Sequence, residues 1–177
     1  MKKFKYFIIP TLVFCVTFFN CEKDDICSES TETTPKMHVV FYDIAIPSDN
    51  TPKNVSKLRV MGVGHPDPNV LPGYDGTKDA AEVYLPLKTT ANSTQYVLYK
   101  GYKLEENGNV LGNPDTINIS YIRKEVFVSR ACGYKTIYEN VVITVEDDGD
   151  KWIKLVQAEN DNQTVEHETD IHYKIYH

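Results

Sequence analysis

The chain has 177 residues, 41% of them hydrophobic and 25% charged, with 19 basic against 25 acidic side chains and a formal net charge of −6. A surface with that excess of negative charge repels phosphate backbones and anionic headgroups, so no nucleic-acid partner is expected. One folded domain of modest size is the expected organisation.

The first element in chain order is Met1-Lys2-Lys3-Phe4-Lys5, followed by an almost unbroken apolar run over residues 6–19, then Asn20-Cys21 and a cluster of charges. A basic start and a short apolar run read as an export signal over residues 1–20. The run contains Pro10 and is shorter than the roughly 20 residues a helix needs to cross a bilayer. Ordinary secretory cleavage wants small residues in an Ala-x-Ala-like pattern, and Phe18-Phe19-Asn20 does not supply them. The segment resembles bacterial lipoprotein signals, in which an apolar or small triplet precedes the cysteine that is lipidated. Cys21 stands at that position, although Asn20 and Phe18 replace the usual small residue and leucine. The resemblance implies acylation (palmitate) at Cys21 and attachment to a membrane through the lipid, since several acyl chains hold where one does not. Glu22-Lys23-Asp24-Asp25 resembles the acidic tetrapeptide of Bacteroidota lipoproteins destined for the outer face of the outer membrane, the cell surface; such charges also simply keep a tether solvated. A plain secreted protein cut elsewhere is the alternative. Removal of residues 1–20 takes Lys2, Lys3 and Lys5 away and leaves 16 basic against 25 acidic residues, a net charge of −9.

With Cys15 lost in the signal and Cys21 lipidated, Cys27 and Cys132 remain as an even pair in an oxidising compartment, and a disulfide between them is expected. Closing a loop of about 106 residues stabilises a fold by roughly 4–5 kcal/mol in the chain-entropy treatment. The rival assignment, Cys132 as a nucleophile, leaves Cys27 unpaired and has no histidine nearby in sequence to activate the thiol.

Residues 21–35 are polar and read as a tether, and residues 36–177 read as a single β-sandwich domain. Residues 37–46 are apolar on both alternating sets, as in a central strand covered on both faces. A run over 55–63 follows, and Gly64-His65-Pro66-Asp67-Pro68 opens what reads as a long loop to Lys78, because proline cannot join a ladder. Runs over 81–88 and 94–104 come next. Glu105-Glu106-Asn107-Gly108-Asn109 is a strong hairpin signal, and Gly112-Asn113-Pro114-Asp115 reads as another turn. The remaining runs cover 116–122, 125–131, 137–146, 151–158 and 164–176. In the run from 137, Val141, Ile143 and Val145 alternate with polar residues, the pattern of a half-buried strand. The expected fold is all-β, an antiparallel β-sandwich of about eight or nine strands, with a closed β-barrel as the alternative.

Cys21-Glu22-Lys23-Asp24-Asp25-Ile26-Cys27, then Val39-Val40-Phe41-Tyr42-Asp43, and later Val126-Phe127-Val128-Ser129-Arg130-Ala131-Cys132-Gly133-Tyr134-Lys135 together resemble an uncharacterised lipoprotein family of the Bacteroidota. The resemblance spans nearly the whole chain. It implies the envelope location, the cysteine pair and an all-β domain, and it supplies no catalytic residue.

Candidate sites are few. Tyr84, Tyr96, Tyr99 and Tyr102 crowd two neighbouring runs, with Tyr96 and Tyr102 expected on one face and Tyr99 opposite; Tyr84, Tyr96 and Tyr102 are candidates for a platform that holds sugar rings or a partner protein. Cross-strand packing is the competing role. His167-Glu168-Thr169-Asp170-Ile171-His172 would place Glu168, Asp170 and His172 on one strand face, a start for a metal site or simply the wet face of an edge strand. Glu146-Asp147-Asp148-Gly149-Asp150 offers oxygens for calcium but lacks ordered ligand spacing, and an Asp-Gly turn explains it. Ser129-Arg130 lacks the nucleophile elbow, so Arg130 reads as a buried-side cation paired with an acid. Asp115-Thr116-Ile117 resembles the O-glycosylation motif of exported Bacteroidota proteins, which makes Thr116 a glycan candidate in an exposed turn. No catalytic residue, metal or cofactor is assigned. The expected function is a non-enzymatic, lipid-anchored envelope module that binds or scaffolds a protein or glycan partner. The alternatives are a hydrolase assembled from distant residues such as His65, Asp170 and His172, and a purely structural envelope component.

Overall fold

A computed structural model describes residues 26–28, 31, 33–64 and 70–177. The signal segment, Cys21 and His65 lie outside the described residues. The chain divides into two compact units, a smaller one that includes Phe127–Lys135 with the described residues of 26–31, and a larger one made of the described residues of 33–126 and Thr136–His177.

Nine strands are described: β1 (Met37–Tyr42), β2 (Arg59–Gly62), β3 (Val70–Asp75), β4 (Glu82–Leu85), β5 (Ser93–Leu104), β6 (Val110–Ser129), β7 (Gly133–Val145), β8 (Leu155–Ala158) and β9 (Tyr173–Tyr176). They form two sheets, in the orders β4-β1-β9-β8 and β3-β2-β5-β6-β7. Neither closes on itself, so the fold is all-β and sandwich-like and the barrel alternative is set aside. Antiparallel pairing dominates, but β1 and β9 run parallel, Val39 opposite Tyr173 and Tyr42 opposite Tyr176.

β1 explains why one sheet is centred where it is. All six of its residues are buried, because both alternating sets are apolar or aromatic and neither face tolerates water. Met37, Val39 and Phe41 enter the main core with Leu98 of β5, Ile117 and Ile119 of β6, Tyr138 of β7 and Ile175 of β9. Val40 and Tyr42 pack instead with Tyr176 and Ile171 in a second, smaller cluster. Each such side chain removed from water contributes roughly 1.5–3 kcal/mol.

Three expectations are corrected. The stretch before Lys78 is not all loop: β3 pairs with β2 at the sheet edge. Pro72 is exposed there, and an edge strand has no second neighbour to miss its N–H. The predicted turn at 112–115 and the two strands after it are one strand, β6, whose Pro114 lies opposite Tyr99. What the Gly112-Asn113-Pro114 signal marks is a register shift between Lys100 and Lys103 on β5. Gly112 has φ +117, and a Cβ there would come within 3.0 Å of the Lys100 carbonyl oxygen, so the bulge needs glycine. Finally, the last predicted strand shrinks to β9; only Val165 of the preceding stretch touches a ladder, as an isolated bridge to Tyr138. On β7, Asn140 takes φ 51. The buried positions Tyr138 and Val141 are therefore three apart, before the period of two resumes at Ile143.

Candidate functional site

The segment 86–88, which leaves β4, exposes three consecutive backbone carbonyls to the interior, and three tyrosines meet them. The Tyr96 hydroxyl donates to the Pro86 oxygen, the Tyr138 hydroxyl to Leu87 at 2.9 Å and the Tyr121 hydroxyl to Lys88 at 3.0 Å. Thr94 closes the circuit: its Oγ1 accepts from the Lys88 N–H at 3.0 Å and lies 2.7 Å from the Tyr121 hydroxyl. Since Tyr121 spends its proton on Lys88, Thr94 donates to Tyr121, and every group in the ring is satisfied. The Tyr121 and Tyr138 rings meet edge to face at 4.9 Å. Burial raises the phenol pKa of all three, that of Tyr138 to about 12. They therefore stay protonated donors at any ordinary pH.

This clasp forms one wall of a cleft of about 420 Å³. Val63, Val70, Leu71, Pro72 and Leu87 supply apolar walls, and Lys88, Thr94 and Gln95 supply polar groups. The Lys88 ammonium reaches the Val63 carbonyl at 3.5 Å. Gln95 and Asn118 both donate to Glu146 Oε1 at 2.8 Å, which orders Gln95. The volume lies within the roughly 300–1,000 Å³ of small-molecule sites. Chemically, the cleft offers burial for an apolar face and one cation for an electron-rich edge.

The structure does not assemble the expected tyrosine platform. Tyr84 stands on β4, in the other sheet, stacked on His38 with ring centroids 4.4 Å apart. Tyr96 is 6% exposed and belongs to the core. Tyr102 packs edge to face on Tyr99 at 5.6 Å, under the Arg59 guanidinium. The register shift on β5 removes the simple alternation that set Tyr99 opposite Tyr102.

Thr116 is not in an exposed turn. It sits within β6 opposite Val97, half-buried, and its carbonyl accepts the Glu146 N–H. Asp115 beside it is 0% exposed, and its carboxylate accepts from the N–H groups of Trp152 and Ile153 at 3.3 and 2.8 Å. Burial raises its pKa against the effect of those two bonds. The Asp-Thr-Ile sequence thus serves the core.

Glu168, Asp170 and His172 precede β9 and share no strand face. Glu168 pairs with Lys36 at 3.1 Å, Asp170 is exposed, and His172 is 1% exposed with Nδ1 accepting the His38 N–H at 2.9 Å. Burial pushes the His172 pKa down to about 4. Among the described residues no group of three His, Cys, Asp or Glu side chains is placed to hold a metal ion. In the acidic turn, Asp147 accepts from Gly149 N–H at 3.4 Å and Asp148 from Asp150 N–H at 3.0 Å, an ordinary pair of side-chain-capped turns.

The sequence offered no pointer to His177. It is 6% exposed, edge to face with Phe41 and Trp152, and its Nδ1 lies 3.1 Å from the Lys100 ammonium. Burial, then Lys100, holds its pKa at about 4. A histidine with no linear motif around it gives sequence reasoning nothing to read.

In the smaller unit Cys27 and Cys132 are joined, with Cα atoms 4.9 Å apart. Ser129 Oγ accepts the Cys132 N–H at 3.0 Å, which assigns Ser129 to the turn. Arg130 is exposed, contrary to the buried role expected of it.

Residues 57–177 match a family of unknown function, DUF6452. No curated protein and no solved structure matches the chain.

Proposed function

The chain belongs to the DUF6452 family of unknown function, and from its signal-like N-terminus we propose that it is an exported, lipid-anchored Bacteroidota envelope protein, held in the outer membrane through acylated Cys21 and facing the cell surface. Its β-sandwich works as a binding or scaffolding module for a protein or glycan partner, without catalysis of its own.

One observation carries the non-catalytic reading. Strongly perturbed titratable groups are where catalysis is sought, and each one among the described residues is committed to structure. Tyr96 and Tyr138 hold carbonyls, His172 accepts a backbone N–H, and His177 sits against Lys100 and two aromatic rings. The cleft beside Lys88, with apolar walls and few polar groups, supports binding of a ring or chain with an electron-rich edge. The address rests on the signal-like N-terminus and Cys21.

Two measurements test the two halves. Cys21→Ala should move the protein from the membrane to the soluble fraction; unchanged fractionation refutes the anchor. Intact cells or the purified chain should capture a reproducible glycan or envelope protein, and Lys88→Glu should weaken that capture. Turnover of an envelope substrate that survives removal of contaminating enzymes would overturn the non-catalytic reading.

A further inference from the structure

The smaller unit carries exposed apolar side chains beside its disulfide. Phe127 is 55% exposed and Tyr134 68%, yet their rings hold each other edge to face at 5.4 Å across the end of the β6–β7 hairpin. Ile26 is 84% exposed and, with Cys132 and the exposed Arg130, borders a shallow cavity of about 360 Å³. Exposed apolar groups of this kind, gathered on one small unit, call for an occupant.

Chain length selects the occupant. Residues 21–35 are a polar tether, and at about 3.3–3.6 Å per residue a free tether of that length reaches roughly 50 Å. The Cys27–Cys132 bond shortens it. Only six residues then separate Cys21 from the hairpin, a reach of about 20 Å at most. A lipid on Cys21 therefore keeps Cys27 within about 20 Å of the bilayer, and the hairpin that carries Phe127 and Tyr134 is bonded to it. Tyr134, an aromatic ring with one polar end, favours the headgroup boundary, Phe127 and Ile26 favour its apolar side, and the exposed Arg130 guanidinium of the same unit suits lipid phosphate.

We propose that this disulfide-strapped hairpin tip is a membrane foot, with Phe127, Tyr134 and Ile26 seated in the interfacial layer of the bilayer that holds the lipid anchor and Arg130 at its phosphates. The inference rests on acylation of Cys21 and adds to it a second, non-covalent contact that fixes how the domain is presented. The disulfide is the positioning element, because it turns a long leash into a short one.

The test uses the full lipidated protein in vesicles of phosphatidylethanolamine and phosphatidylglycerol, some with acyl chains brominated close to the headgroup. Tyr134→Trp adds a fluorophore to a chain whose single native tryptophan, Trp152, is 5% exposed in the core. Its emission, taken as the difference from the parent protein, should shift to the blue and be quenched by the brominated lipid. A flexible Gly-Ser insertion of about 20 residues between Asp25 and Ile26 leaves the disulfide intact, lengthens the leash several-fold and should abolish most of that quenching. Cys27→Ser with Cys132→Ser should do the same, and the insertion variant keeps the test decisive if that pair misfolds. Sedimentation with the vesicles reports the anchor separately: failure to sediment refutes the acylation, whereas sedimentation with no quenching overturns the foot alone. Quenching by brominated lipid that appears only at high protein density would assign the patch to a second copy and overturn the proposal as well. Protection of the probe by an added envelope protein in place of lipid would do so too.

Discussion

The larger unit is held by what its strands bury, whereas among the described residues of the smaller one a disulfide joins residues that bury little. In the first, Phe41, Leu98, Ile117 and Ile175 are fully enclosed, and the polar groups that enter with them, Asp115, Thr94 and three tyrosine hydroxyls, are paired with backbone. In the second, Phe127 and Tyr134 stay exposed and a disulfide spans 105 residues of sequence. The difference teaches two sources of order: contacts in the folded state for the larger unit, and a bond whose closed loop, residues 28–131, restricts the unfolded chain of both.

The largest expected effect breaks that contrast from the covalent side. Cys27→Ser with Cys132→Ser should cost roughly 4–5 kcal/mol, because a loop of about 100 residues regains its freedom on unfolding. Urea denaturation should show it, while the near-ultraviolet signature of Trp152 in the native state stays as it was. Two free thiols in the untreated mature protein, seen by non-reducing mass spectrometry, would remove the basis for the effect. The packed side should answer next. Leu98→Ala, at a position 0% exposed on β5, should lose roughly 2–5 kcal/mol through the cavity it leaves. Tyr134→Ala should stay within about 0.5 kcal/mol, as exposed positions do. Equal losses at the two sites would erase the distinction between the units.

A third effect reads the contrast through pH. His172 and His177 have pKa values held at about 4 when folded against 6.5 when free. Between those values the unfolded chain binds protons that the folded chain refuses, so stability rises with pH across the window and is lost as pH falls from 6.5 towards 4. The loss should be on the order of 2–3 kcal/mol per histidine. His172→Gln should flatten the slope of the denaturation midpoint against pH by about half, on the order of 0.7 of a proton or more. An unchanged slope would mean that His172 is not held neutral.

How far the sequence reaches can be judged from particular residues. β1 was legible because both of its alternating sets are apolar, and the β5–β6 hairpin because Asn107-Gly108 leaves little choice of turn. The strand β6 reads in sequence as a turn and two strands because Gly112-Asn113-Pro114 is also what a bulge needs when two carbonyls press on the glycine. β3 does not show in the sequence because proline bars a strand only where its N–H has a partner to serve, and edge position is not written locally. The last strand looks longer in sequence than it is because Val165 and Ile171 keep an apolar rhythm through a stretch that folds as loop. Of the candidate site, the number of tyrosines was visible but their use was not. Whether a hydroxyl meets solvent, a sugar or the carbonyl of residue 87 depends on which strands lie side by side, and that pairing is set by contacts distant in sequence.

A smaller effect than the loss of Leu98 or of a buried histidine is the most specific to the cleft. Tyr138→Phe removes one hydroxyl from a buried ring and leaves the Leu87 carbonyl without its donor. A buried acceptor left unpaired costs roughly 1–3 kcal/mol. The cost here should sit near the bottom of that range, about 1 kcal/mol, because Leu87 also lines the cleft and water can reach in to serve its oxygen. Tyr121→Phe should cost more, since it breaks the ring that joins Thr94 and Lys88 and orphans two partners rather than one. If water replaces the Tyr138 hydroxyl, the segment 86–88 loosens without unfolding, and amide exchange should quicken at Leu87 and Lys88 while that of Leu98 holds. Equal quickening at all three would show that the clasp supports the core as a whole, and the cleft would then be a by-product of packing.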